Sequence, residues 1–173
     1  MFDGCIVRKV TEDDLPMVLA WRNHADVRRY MFTQHEIGLD EHRNWFAKAS
    51  QDTSRCLLIV EENKQAFGYV QFSKVEDGGI ADWGFYTSPE ASKGTGRKLG
   101  VMALNYAFGS LKLHKVCGQA IASNQASIAF HQRLGFTLEG VLRDQQRVNG
   151  AYLSLHCFGL LSSEWQAKDD EQE

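Results

Sequence analysis

Residues 94–96 read Gly-Thr-Gly, between an alternating apolar stretch, IADWGFYT at 80–87, and the longest amphipathic run of the chain, 96–111. Within that run Leu99, Met102, Ala103 and Tyr106 share one helical face, so a helix must pack back on the strand before it. Glycines at such a junction let backbone amides approach a ligand closely, and the helix end adds about half a positive charge. Lys93, Arg97 and Lys98 add full charges. A solvated basic loop fits these letters as well as a phosphate site does. If a phosphate is held, it is not held by a Walker loop, which needs GxxxxGK[ST]. A dinucleotide fingerprint would put its third glycine at Leu99, and Lys112, His114 and Lys115 stand where it needs an acidic residue for the ribose. The remaining option is a pyrophosphate held by successive amides at the helix opening.

The flanking segments complete the fold class. IVRKV at 6–10 alternates as a strand, and Asp13 is expected to cap a helix carrying Leu15, Val18, Leu19 and Arg22, with Pro16 in its first turn. A second helix is predicted over 39–49, with Asp40 and Glu41 at its positive end. CLLIVEEN and AFGYVQFSKV read as two strands joined by a short turn, ahead of the strand at 80–87. A strand at 116–122, a short helix at 126–134 closed by Gly135, and two strands around the turn Asn149-Gly150 follow. The order β-α-α-β-β-β-α-β-α-β-β is that of an α+β protein with a mixed αβ sheet, not a doubly wound one. One domain is expected over 1–167, followed by a polar tail at 168–173.

A formal net charge of −3 argues against broad attraction to nucleic acid or membrane, and no apolar run approaches the roughly 20 residues of a membrane span. Four scattered cysteines without a CxxC pair read as a reduced, cytoplasmic chain. The six histidines have no metal-ligand spacing, so no metal is expected.

A second motif gives the loop a meaning. Asn124-Gln-Ala-Ser127-Ile-Ala-Phe-His131-Gln-Arg-Leu134-Gly135-Phe136 follows the strand at 116–122. With the glycine loop, in this order and at this separation, it resembles the GCN5-related N-acetyltransferase (GNAT) family. The resemblance implies the GNAT acyl-CoA N-acyltransferase fold, a central twisted mixed sheet with splayed central strands flanked by helices. It also implies that the pyrophosphate belongs to acetyl-CoA, the acetyl donor. Cofactor contacts then fall to Phe85, Tyr86 and Thr87 on the splayed strand, to Lys93, Gly94, Thr95, Gly96 and Arg97 in the loop, and to Asn124, Ser127 and Arg133 in the second motif. One departure is that the Arg or Gln usually opening the loop falls on Ala91 or Ser92.

Acetyl transfer to an amine needs a neutral nucleophile, a polarised carbonyl and a proton for the leaving thiolate. The N–H groups around Phe85–Thr87 are the expected polarisers, with Gly84 a candidate bulge. His131 holds the slot where the family usually has an acidic tyrosine; it also reads as a core histidine bonded to a backbone carbonyl. Asn124 binds the pantetheine, caps the next helix, or does both. Asp82 is the best carboxylate for a base, and equally a solvent-facing strand residue.

The acceptor is read from the N-terminal helices. Trp21-Arg22-Asn23-His24 through Arg28-Arg29-Tyr30-Met31-Phe32, and Glu41-His42-Arg43-Asn44-Trp45-Phe46, interleave arginine with aromatics. That pattern suits a nucleotide diphosphate, guanidinium for phosphate and ring for base, and also a helix surface with buried tryptophans. Together with DWGFY and the ending Leu142-Arg143…Asn149-Gly-Ala-Tyr152…Glu164-Trp165, it resembles the branch of the family acting in pseudaminic acid biosynthesis, which feeds flagellin glycosylation. The resemblance implies acetylation of the free 4-amino group of a UDP-linked 4-amino-4,6-dideoxy sugar, with Arg22, Asn23, Arg28, Arg29, Tyr30, Met31, His42, Trp45 and Trp83 as substrate-binding residues. Ribosomal-protein N-terminal and polyamine acetyltransferases share the ending and are the alternatives, with a non-catalytic acetyl-CoA-binding module as a third. The expected partners are small molecules, in a monomer or homodimer.

Overall fold

The computed structural model describes residues 2–75 and 78–165. The tail at 168–173 and the domain boundary at 167 lie outside the described residues. Strand β1 (Cys5–Lys9) leads through a 3-10 turn (Glu12–Asp14) into α1 (Leu15–Asn23), a single-turn α2 (Ala25–Arg28) and α3 (Leu39–Ala49). Next come β2 (Arg55–Glu62), β3 (Gln65–Ser73), β4 (Ile80–Thr87) and α4 (Thr95–Gly109), then β5 (Lys115–Ile121), α5 (Gln125–Leu134), β6 (Thr137–Val148) and β7 (Ala151–Leu161). The element order matches the sequence expectation, with α2 and the 3-10 turn added. Gly135 closes α5 in the left-handed conformation, and Asn149 and Gly150 both have positive φ in the last turn.

The seven strands form one sheet in the order β1-β2-β3-β4-β5-β7-β6. Every pairing is antiparallel except β4 with β5. That parallel pair is short: Ile80, Ala81 and Asp82 face Lys115, Val116 and Cys117, and the strands then part. β4 stays paired to β3 through Thr87. Residues 83–87 therefore present one unpaired edge, the splay expected from the sequence. The bulge expected at Gly84 is absent: the β3–β4 register runs unshifted from Gly68–Thr87 to Ser73–Asp82.

Each face of the sheet has its own core. Val70, Phe72, Ala81, Trp83 and Phe85 pack beneath α4 and α5, with Leu99, Ala103, Leu134 and Phe158. Leu57, Ile59, Tyr69 and Tyr86 face α1 and α3, against Val18, Trp21 and Phe46. Burial of a side chain such as Phe72 contributes about 2 kcal/mol.

The start of α1 corrects one expectation. The N-cap position of α1 falls on Asp14, not Asp13, and its side chain makes no cap bond to α1; it closes a capping box over the 3-10 turn, its carboxylate accepting from the Thr11 N–H at 2.8 Å and from the Thr11 hydroxyl at 3.1 Å. Arg8 grips the same carboxylate with two hydrogen bonds of 2.8 Å and reaches Glu61 on β2 at 3.0 Å. The Arg8 guanidinium holds the Asp14 carboxyl below its usual pKa. A carboxyl depressed in the folded state contributes stability above its unfolded pKa of about 4 and loses it as pH falls through the folded value. Asp14→Asn is therefore expected to lower the melting temperature at pH 7, with the gap to wild type closing as the pH drops below about 4. Thermal melts across that range check it.

Candidate active site

A cleft of about 1000 Å³ runs from α1 and the loop after it, across the forked strands, to the openings of α4 and α5. Its cofactor end begins at the glycine loop. Gly94 has φ 91°, in the left-handed region, and opens α4 with no side-chain cap. Nothing lies within 4 Å of the space a Cβ would take there. Of the first amides of α4, that of Thr95 donates to the Ser92 carbonyl at 3.2 Å and that of Arg97 to the Gly94 carbonyl at 3.1 Å, which leaves the Gly96 amide for an anion. Gly96 lines the cleft, whereas Lys93, Gly94, Thr95 and Arg97 stand at its rim outside the lining. Thr95 donates its hydroxyl to the Ser92 carbonyl at 2.6 Å.

Beyond the fork the β3–β4 ladder decides which amides face the cleft. The Ser88 N–H donates to the Phe67 carbonyl at 2.8 Å. Antiparallel alternation then turns the Tyr86 N–H toward β3 and those of Trp83, Phe85 and Thr87 toward the open edge. Of the three residues expected as backbone donors, Phe85 and Thr87 keep that placement and Tyr86 does not. Asn124 and Ser127 line the cleft; the Asn124 side-chain oxygen accepts from the Ser127 N–H at 3.1 Å and caps α5. Arg133 is exposed, points its Nε to the Ala129 carbonyl at 3.2 Å and is outside the lining. These features fit acetyl-CoA: a free Gly96 amide at a helix opening for a pyrophosphate and an open strand edge for an amide-bearing arm.

His131 is 1% exposed on the cleft floor. Its Nε2 accepts from the Trp83 indole N–H at 3.1 Å, so Nδ1 carries the proton and donates to the Ser127 carbonyl at 2.8 Å. Burial keeps its pKa below the ordinary histidine value. The ring is neutral and both nitrogens are engaged. This is the core-histidine arrangement. The proton that an acid would deliver from Nε2 is not there. Gly118 makes room for the pair, because a Cβ at that position would collide with both rings. His131→Phe is expected to cost about 1–3 kcal/mol, by leaving the Trp83 N–H buried without an acceptor, and to keep turnover within tenfold of wild type. Melting temperature and kcat check it. A hundredfold loss of kcat at unchanged melting temperature would restore the acid role.

Trp83 is 8% exposed and packs among Phe72, Phe85, Phe130 and Phe136. It forms the floor of the cleft rather than a platform for a base. Asp82, at the fork, lines the cleft and is bound by Lys74 at 2.7 Å.

The acceptor end is built by α1, α3 and the loop between them. Arg22 is half-buried. Its Nη2 donates to the Thr33 carbonyl at 3.2 Å, while Nη1 is buried without a partner. Burial pulls its pKa below the ordinary value, yet a guanidinium remains charged. His42 is 4% exposed, stacked on Trp45 at 5.3 Å, with Nδ1 also unpartnered. Burial and the Arg22 charge hold its pKa down. Arg29, Tyr30, Met31 and Trp45 line the same end. Arg28 and Asn23 do not. Asn23 clasps Ile37 in both directions at 2.8 Å, and Arg28 lies 3.7 Å from Glu36, so both tie the loop to the helices.

Sequence reasoning missed Tyr69, whose hydroxyl donates to Gln71 at 3.0 Å; both line the cleft from β3. The signal was the alternation of Tyr69 and Gln71 with Val70 and Phe72. Cys117 and Gln119, on β5 opposite the fork, were missed as well.

Among the described residues no cluster of His, Cys, Asp or Glu could hold a metal ion, and no helix is long and apolar enough to cross a membrane. All four cysteines are free.

Residues 5–137 match the family model described as an acetyltransferase (GNAT) domain, and the chain belongs to that family. It is 26% identical over 130 residues to acetyltransferase PseH of Campylobacter jejuni, covering 75% of this chain and 81% of that one. It is 28% identical over 148 residues to spermidine N(1)-acetyltransferase of Escherichia coli, covering 84% and 80%. The crystal structure of spermidine N-acetyltransferase from Vibrio cholerae in complex with CoA and spermine superposes with a TM-score of 0.87 at 25% identity, over 94% of this chain and 98% of that one.

Proposed function

We propose that this GNAT acetyltransferase acts on the free 4-amino group of a UDP-linked 4-amino-4,6-dideoxy sugar, the acceptor that its motifs imply for pseudaminic acid biosynthesis. Acetyl-CoA is the donor and supplies the activated acetyl group. Phe85 and Thr87 offer N–H groups along the open strand edge to polarise the thioester carbonyl. The free Gly96 amide and the positive end of α4 hold the pyrophosphate, with Lys93 and Arg97 at the rim.

One observation carries the acceptor. Arg22 is a partly buried cation of the cleft lining with a free Nη1, and among the described residues no carboxylate lies within ion-pair distance of it, although the charge of Glu41 reaches it. Two of the three carboxylates of the lining face a full cation, and the third, Glu41, bonds to an imidazole. Asp26 lies 4.0 Å from Arg29 and 3.8 Å from His24, Glu41 lies 3.0 Å from His35, and Asp82 lies 2.7 Å from Lys74. A polyamine needs uncompensated carboxylates, whereas a diphosphate needs an uncompensated guanidinium. The likeness to spermidine acetyltransferases makes a polyamine the competing reading. The free cysteines fit a reducing compartment, and we place the reaction in the cytoplasm.

Calorimetric titration with UDP tests the acceptor reading without turnover. Saturable binding of UDP, and none of spermidine, is expected. Spermidine binding without UDP binding would overturn it.

A further inference from the structure

The reaction needs a base, and the site offers few. An amine acceptor arrives as an ammonium ion and must lose a proton before its lone pair can attack. Asp82 is held by an ammonium at 2.7 Å, and both nitrogens of His131 are bonded within the chain. His42 remains. It is the imidazole of the cleft lining whose Nδ1 is buried without a hydrogen-bond partner among the described residues.

We propose that His42 is the catalytic base that takes the proton from the acceptor's ammonium group. The stack on Trp45 fixes its ring plane, and its place on α3 puts it on the side of the sheet faced by Tyr69 and Tyr86. Arg22 from α1 acts on it directly, and the other charged and titratable groups of this end of the cleft are Asp26, Arg29, Glu41 and the phenols Tyr69 and Tyr86. Glu41 lies 3.0 Å from the His35 imidazole, and burial raises both phenols above their ordinary pKa, so they stay protonated. Arg22 and burial favour the neutral imidazole, which keeps a lone pair available near neutral pH.

The protons balance. His42 removes one from the ammonium. The amine lone pair forms the C–N bond to the thioester carbonyl carbon, and the C–S bond breaks with its electron pair left on sulfur. The nitrogen sheds a second proton, which protonates the thiolate, and His42 returns the first to water. The products are the amide, the free thiol and one proton.

The proposal rests on amine acetylation, not on the nucleotide sugar, and is tested with whichever amine turns over. The pH dependence of kcat/KM is measured for wild type and His42→Gln, with His42→Asn in reserve should the first not fold, and UDP affinity is measured in parallel. Wild type is expected to show an acid limb that levels near neutral pH. In His42→Gln the rate at pH 7 is expected to fall about 100-fold, with the limb replaced by a steady rise toward the pKa of the amine itself. An acid limb retained in the variant, or absent from wild type, overturns the proposal. UDP affinity reports separately on the acceptor reading: failure of wild type to bind UDP sinks that reading and leaves the limb to decide on His42.

Discussion

Arg22→Met is expected to raise the KM for the nucleotide-sugar acceptor about 100-fold, leave the KM for acetyl-CoA unchanged, and leave the protein as stable as wild type or more so. The two halves have one cause. The free protein holds a guanidinium out of water with Nη1 unpaired and only one backbone acceptor on Nη2. That is a desolvation cost with little return, and a methionine of similar length removes it. With a diphosphate bound, the same group makes a charge-assisted hydrogen bond of about 3 kcal/mol, or about two decades in affinity. A merely structural arginine would show the opposite pair, a lower melting temperature with an intact acceptor KM. Steady-state kinetics in both substrates, with a melting curve, separate the cases.

Gly94→Val is expected to weaken acetyl-CoA binding by 100-fold or more, with a smaller loss of fold stability. Gly94 sits at φ 91°, where a β-branched residue is strained by about 1–2 kcal/mol. The protein itself leaves the side chain free space, so the fold survives. On the pyrophosphate reading the ligand does not: the valine crowds the rim of the helix opening, and relief of the strain re-aims the free Gly96 amide. Unchanged acetyl-CoA affinity by titration would remove the pyrophosphate from this loop.

Much of the fold was legible because it is local. Periodicity placed β4, α4, β5 and α5, and the positive φ of Gly135 and Gly150 follows from residues suited to it. The family motifs then carried the splay of β4 from β5. What sequence could not supply were partners lying across the sheet. His131 shares a face with Ile128 and Leu134, which says that it points inward, but the indole that fixes its tautomer is 48 residues away. Asn23 looked like a pocket residue because it adjoins Arg22; its partner, Ile37, comes from a loop without periodicity. Asp14 was passed over for Asp13 at the start of α1 because the residue that holds it, Arg8, lies on a different element. Arg22 was legible as a basic residue among aromatics, but its unpaired Nη1, which gives it a function, exists only once α1, α3 and their loop have closed around it.

The most direct measurement is thiol release from acetyl-CoA by the purified protein with three acceptors: the UDP-linked 4-amino-4,6-dideoxy sugar, spermidine and a ribosomal N-terminal peptide. The uncompensated guanidinium predicts a kcat/KM for the nucleotide sugar at least about 100-fold above the other two. A preference for spermidine or for the peptide would contradict it, and would mean that Arg22 serves something other than a diphosphate.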